Sequence, residues 1–170
     1  QIDWQSETVL SDQEVRKMIV FAQEIGLKVI LKPMVNIADG MWRAHTNFFD
    51  HDVPCEPKWS EWFSAYTEFI THYAKIAEET ACELFVVGCE LVNSDRREKE
   101  WREVISNVRN AYTGLITYNC DKYQEDNLTW WDAVDVLSSS GYYPIDKWEQ
   151  ELKRIEKVVE KEQKPFFFCE

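Results

Sequence analysis

The sequence predicts an α/β fold built on a parallel sheet, and three observations carry that reading. Apolar positions switch repeatedly between a helical spacing and short continuous runs rich in Val, Ile and Phe. The two patterns alternate from residue 12 to the end, which is the beat of right-handed βαβ crossovers. Gly40, Gly88 and Gly141 each stand alone, so no strand leads into a Gly-rich phosphate loop. That disfavours a dinucleotide-binding sheet and a P-loop fold. An incomplete (β/α)8 barrel fits better, with an open doubly wound sheet as the structural alternative.

The first helix opens on the capping box Ser11-Asp12-Gln13-Glu14, carries Val15, Met18, Ile19 and Ala22 along one stripe, and stops at Gly26. The run 28–35 follows as a strand buried on both faces. A loop of about twenty residues, 36–55, is longer than a mere connection needs. Pro57 then starts a long helix with Trp59, Trp62, Phe63, Tyr66, Phe69, Ile70, Tyr73 and Ala77 on one face. A strand at 84–90 comes next, and then a helix with the stripe Trp101, Val104, Ile105, Val108 and Tyr112, stopped by Gly114. Further strands are expected at 115–118, 134–138 and 165–169. A short helix near 128–133 and a longer one at 148–162, opened by an Asp146-x-x-Glu149 cap, separate them. Residues 2–4 read as the tail of one more strand. A full barrel takes about 250 residues, so this chain of 170 reads as a single domain, 1–170. It spans about strands two or three to seven and is truncated at both ends.

Composition excludes several classes of function. Nineteen Lys and Arg against 31 Asp and Glu give a net charge of −12, the wrong sign for a protein that tracks phosphates, so nucleic acid is not expected as a partner. Hydrophobic residues make up 45% and include eight Trp, enough to fill a core and rule out global disorder. No apolar run approaches the roughly 18 to 20 residues that cross a bilayer, and the start lacks the features of a signal peptide, so no membrane partner is expected. The five cysteines are odd in number, widely spaced and without a C-x-x-C pair. They read as reduced, buried thiols and lean towards a cytoplasmic location, with secretion left open because the chain starts without Met. The spacing of His45, His51 and His72 matches no metal pattern, and Ser138-Ser139-Ser140 lacks a G-x-S-x-G frame. Neither a metal nor an organic cofactor is expected, and oligomeric state is not legible.

Two glutamates stand at the carboxyl ends of apolar runs, Glu90 after 84–89 and Glu170 after 165–169. In a parallel sheet or barrel that edge is where active sites are built. Position alone leaves the plain alternatives open: Glu90 as the first residue of a solvated loop, Glu170 as a polar residue after a core strand. Two carboxyl groups flanking an acetal can act as proton donor and nucleophile, lying about 5 to 5.5 Å apart in retaining enzymes. Trp42, Tyr123, Trp130, Trp131, Tyr142 and Tyr143 crowd the loops and suit sugar stacking, although Trp130 and Trp131 read better as packing residues.

Lys28-Val29-Ile30-Leu31-Lys32-Pro33, the Trp-x-x-Trp-Phe-x-x-Tyr of 59–66, Val87-Gly88-Cys89-Glu90-Leu91, Gly141-Tyr142-Tyr143-Pro144 and Lys164-Pro165-Phe166-Phe167-Phe168-Cys169-Glu170 resemble glycoside hydrolase family 113. The segment 101–118 and Trp131-Asp132 to Asp135 extend that resemblance over nearly the whole chain. The family is similar to other clan A retaining glycosidases, and its characterised members act on β-1,4-mannan. The resemblance implies Glu90 as acid/base and Glu170 as nucleophile, with Lys32, Asn36, Trp42, Arg43, Asn119 and Tyr142 lining the sugar site. A structural role for each of those six stays open. The implied reaction is double displacement on a β-1,4-linked glycan, with xylan or β-glucan as rival substrates and a catalytically silent carbohydrate-binding barrel as the rival of another class. One departure stands out: clan A often places Asn before the acid/base, and here that residue is Cys89, a weak hydrogen-bond donor. If Glu170 were a true C-terminus, its own main-chain carboxylate would crowd the nucleophile, so the parent protein is expected to continue on both sides.

Overall fold

The computed structural model describes residues 2–4 and 9–170. Among these residues four helices and five strands follow in chain order, alternating except where β4 comes directly after β3: α1 (Asp12–Glu24), β1 (Ile30–Leu31), α2 (Trp59–Glu79), β2 (Leu84–Cys89), α3 (Glu98–Ala111), β3 (Leu115–Cys120), β4 (Val136–Ser139), α4 (Trp148–Glu162) and β5 (Phe166–Phe168). Every neighbouring pair is parallel, and the spatial order β1-β2-β3-β4-β5 is the order of the chain. A doubly wound sheet must reverse its order at a switch point, and no reversal occurs among these strands. Right-handed crossovers in one direction place the helices on a single face and curve the sheet into part of a (β/α)8 barrel. Among the described residues, no helix is long and apolar enough to cross a membrane.

Period-two alternation decides which side of the sheet each residue faces. Phe85, Val87, Ile116, Tyr118 and Leu137 pack outward under α2, α3 and α4 in the main core, whereas Leu84, Val86 and Val136 meet Phe167 and Cys169 in a second, smaller cluster. The outer core is aromatic. Phe63 and Tyr66 of α2 bring their ring centroids to 5.7 and 5.6 Å from that of Trp101 on α3, and Trp101 stacks on Trp130 at 5.2 Å. Trp130 and Trp131 are fully buried there, as packing residues of the wall.

The helix signals fare unevenly. The Ser11 capping box forms with both of its hydrogen bonds, and Gly26, at φ 85°, closes α1 in a Schellman motif: its N–H donates to Gln23 C=O and that of Leu27 to Ala22 C=O. The Asp146 cap does not form. A 3-10 turn, Ile145–Lys147, runs straight into α4 and leaves its first residues without a side-chain cap. The helix expected near 128–133 shrinks to the 3-10 turn Trp131–Ala133, and α2 starts at Trp59, two residues after Pro57.

Two strand expectations need correction. The run 28–35 pairs only at Ile30 and Leu31, and Ile30 is 46% exposed instead of buried on both faces, because β1 has β2 on one edge and no described strand on the other. Residues 2–4 form no strand. Trp4 packs on α2 instead, with its ring 5.8 Å from Phe69. None of the five cysteines is paired, and Cys55 is exposed.

Candidate active site

A bulge in β2 aims the first glutamate. Val86 pairs with Thr117 and Cys89 with Asn119, so three steps along β2 face two along β3. Strict alternation would turn Cys89 towards the helices, and the extra residue turns it to the other side of the sheet. Gly88 makes the bulge possible, since a Cβ there would stand 2.8 Å from Trp101 Cη2 and 2.8 Å from Tyr118 Cε2. Glu90 follows at φ 50°, a left-handed conformation that non-glycine residues adopt rarely and chiefly where surrounding structure imposes it. Its N–H donates to Asn119 C=O at 2.9 Å, which ties it to the end of β3.

Glu90 is 6% exposed, and its carboxylate accepts three hydrogen bonds: Ser140 Oγ on Oε1 at 2.7 Å, and Arg43 Nη1 and Trp42 Nε1 on Oε2 at 2.9 and 3.1 Å. Burial alone would raise its pKa, but the bonds from Ser140, Arg43 and Trp42 together outweigh burial and hold it below the ordinary carboxylate value. Glu170, one residue past Cys169 at the end of β5, is bound differently. Lys32 Nζ pairs with Oε1, Tyr142 Oη donates to Oε2 at 3.4 Å, and Gly141 N–H fixes its main-chain carbonyl at 3.1 Å. Burial opposes the Lys32 charge, yet the bond to Glu170 prevails and the ammonium lies above its ordinary value.

Cys89 links the two sides. Its thiol lies 3.4 Å from Glu170 Oε1, receives a contact from Asn119 Nδ2 at 3.5 Å, and precedes Glu90 in the chain. Burial, with the Glu170 charge added, pushes this thiol up to about 12, so it stays protonated and can donate to the carboxylate.

The eight residues that the resemblance assigns to the site therefore gather at the carboxyl edge of the sheet. Lys32, Trp42, Arg43 and Tyr142 touch one or the other carboxylate directly. Asn36 is joined through Arg43, whose Nη2 lies 3.3 Å from Asn36 Oδ1, and Asn119 through Ser140, whose Oγ accepts from Asn119 Nδ2 at 2.9 Å. Trp42 and Tyr142 stay 42% and 59% exposed beside this buried set, placed to meet a ligand entering from solvent. The sequence reading missed Ser140. Its signal is a hydroxyl one residue past β4, in a Ser138-Ser139-Ser140 run that the G-x-S-x-G frame tests only for a nucleophile. Among the described residues no group of three or more His, Cys, Asp or Glu could hold a metal ion.

The comparisons with known proteins agree with one another. Two solved structures of a family 113 β-1,4-mannanase, one of them a complex, superpose with a TM-score of 0.97 at 58% identity. A family 113 β-mannanase from Alicyclobacillus acidocaldarius, in complex with ManMIm, superposes at 0.95 with 43% identity. In each case 99% of this chain is covered and 54% of the other, so the chain spans about half the length of these relatives. A fungal β-1,4-galactanase shares the fold alone, with a TM-score of 0.64 and 11% identity over 94% of this chain and 57% of its own. No curated protein matches the chain. The family model for Glycoside Hydrolase Family 113 matches residues 1–170 without a gap at either end, and the chain belongs to that family.

Proposed function

We propose that this chain forms the catalytic half of a retaining hydrolase of β-1,4-mannan, a single barrel domain in which Glu170 is the nucleophile and Glu90 the acid/base. The observation that carries the reading is that two strand-end glutamates come together from β2 and β5: Glu170 meets the thiol of Cys89, the residue before Glu90, and a separate cation stands beside each carboxylate. Mannan is favoured as substrate because the solved relatives are β-mannanases by name. The unpaired thiols favour a reducing compartment.

The chemistry follows from the two environments. Glu170 attacks the anomeric carbon while Glu90 gives its proton to the leaving oxygen, forming a glycosyl ester on Glu170. Glu90, now a base, deprotonates the water that cleaves the ester. Lys32, Cys89 and Tyr142 hold the nucleophile in position and leave one of its roughly four lone pairs free to attack. Glu90 is ionised in the open site, so it must gain its proton as the glycan enters. A sugar that excludes water raises the cost of the Glu90 charge and so favours its protonated form.

The test is hydrolysis of β-1,4-linked manno-, xylo- and gluco-oligosaccharides by the full-length chain, with Glu90→Gln and Glu90→Ala alongside. Mannan-derived substrates are expected to be cleaved fastest. Both variants should lose about 10²-fold or more on natural substrates, and azide should restore part of the Glu90→Ala activity on aryl glycosides. Near wild-type cleavage of natural substrate by Glu90→Gln would overturn the assignment.

A further inference from the structure

We infer that Tyr118 and Asp95 are positioning residues for the acid/base, acting through a hydrogen-bond relay from the Leu91 amide to the Tyr118 hydroxyl to the Asp95 carboxyl. The inference rests on Glu90 being the proton donor, and it explains how a strained glutamate keeps its orientation.

Glu90 sits at φ 50° with its own N–H bound to Asn119, which fixes the chain before it. The peptide that follows needs an equal restraint, or the backbone can relax to negative φ and swing the carboxyl away. That restraint comes from the helix side of the sheet. Leu91 N–H donates to Tyr118 Oη at 3.1 Å, and Tyr118 Oη donates in turn to Asp95 Oδ1 at 2.5 Å. The hydroxyl is thus an acceptor on one side and a donor on the other, which phenylalanine cannot imitate.

The relay is anchored on rigid parts. The Tyr118 ring is fully buried with its centroid 5.1 Å from that of Trp101 and 4.9 Å from that of Trp130. Asp95 is held by its own carbonyl, which accepts from Trp130 Nε1 at 2.9 Å, and Ser94 Oγ donates to Leu91 C=O at 2.7 Å. Five residues after the acid/base are therefore fastened to the wall at both ends, without any of these groups reaching the site.

Asp95 Oδ2 is buried without a partner among the described residues. Only Oδ1 takes part in the relay, so an amide at position 95 supplies the same acceptor. That predicts which substitutions matter.

The experiment measures kcat/KM of the full-length chain and its Tyr118→Phe, Asp95→Ala and Asp95→Asn variants on a β-1,4-linked oligosaccharide and on aryl glycosides with increasingly good leaving groups. A displaced proton donor hurts most where the leaving oxygen most needs a proton. Tyr118→Phe and Asp95→Ala should lose about 10- to 100-fold on the oligosaccharide but no more than about twofold on a dinitrophenyl glycoside. Asp95→Asn should recover most of the loss. Equal losses on both substrates, or none, would overturn the relay while leaving Glu90 as acid/base, which the Glu90→Gln variant checks by itself. Amide exchange gives a readout independent of activity. The Leu91 amide should exchange at least about tenfold faster in Tyr118→Phe while the β2 amides keep their protection, and an unchanged rate would equally overturn the inference.

Discussion

Replacing Gly88 by Ala tests the bulge that aims the acid/base. The new Cβ would meet Trp101 Cη2 and Tyr118 Cε2 at 2.8 Å each, about 1 Å inside a comfortable carbon–carbon contact. Neither ring can yield easily. Trp101 and Tyr118 are fully buried, and Trp130 backs both at centroid distances of 5.2 and 4.9 Å. Overpacking a site of this kind costs about 1–3 kcal/mol. The loss of glycine's freedom in the unfolded chain returns about 0.4–1 kcal/mol, because Gly88 is not among the residues at positive φ. The expected outcome is a net destabilisation of about 1–2 kcal/mol. Urea denaturation should show it as a lower midpoint at unchanged slope. Activity should fall further than the folded fraction does, because Cys89 and Glu90 turn with the bulge, and an ångström of misplacement can cost about 100-fold. A variant as stable as the parent and fully active would refute the account of Gly88 as the residue that makes room for the bulge.

Three other outcomes follow from the same geometry. Arg43→Met removes a bond that lowers the Glu90 pKa; the proton-donor form then persists to higher pH, and the alkaline limb of kcat/KM should move upward, whereas a downward move would mean that Arg43 acts elsewhere. Asp95 is raised from 3.8 to about 7 chiefly by burial, so its contribution to stability is complete below pH 3.8 and is lost as pH rises towards 7. That loss is worth up to about 4 kcal/mol, and stability curves of Asp95→Asn should be flatter over that window than those of the parent. Arg154 pairs with Glu125, whose side chain is 1% exposed, so Arg154→Leu should destabilise by about 3–5 kcal/mol, with partial recovery on adding Glu125→Gln; thermal unfolding of the single and double variants checks it.

The sequence by itself determined the elements and the side of the sheet on which chemistry would sit. Helix stripes, the Ser11 box, Gly26 and most of the apolar runs are local patterns, set by residues close in the chain. They placed Glu90 and Glu170 at strand ends, and the resemblance to family 113 gave them roles. Where expectation failed, the missing information was a neighbour. The run 28–35 has the composition of a buried strand, but a ladder needs partners on its edges, and β1 has one among the described residues. Asp146 has the spacing of a cap, but the 3-10 turn before α4 uses those residues differently.

Tertiary structure alone decided the site. Lys32 meets Glu170 across 138 positions of chain, and Ser140 meets Glu90 across 50. The bulge that turns Cys89 and Glu90 comes from a register shift between β2 and β3 and from the two rings above Gly88. Nothing in the string Val87-Gly88-Cys89-Glu90 announces it, because a register is a property of two strands and a close approach is a property of three elements. Helices and strands follow from interactions near in sequence, whereas a catalytic constellation is assembled from groups that only the packed sheet brings together.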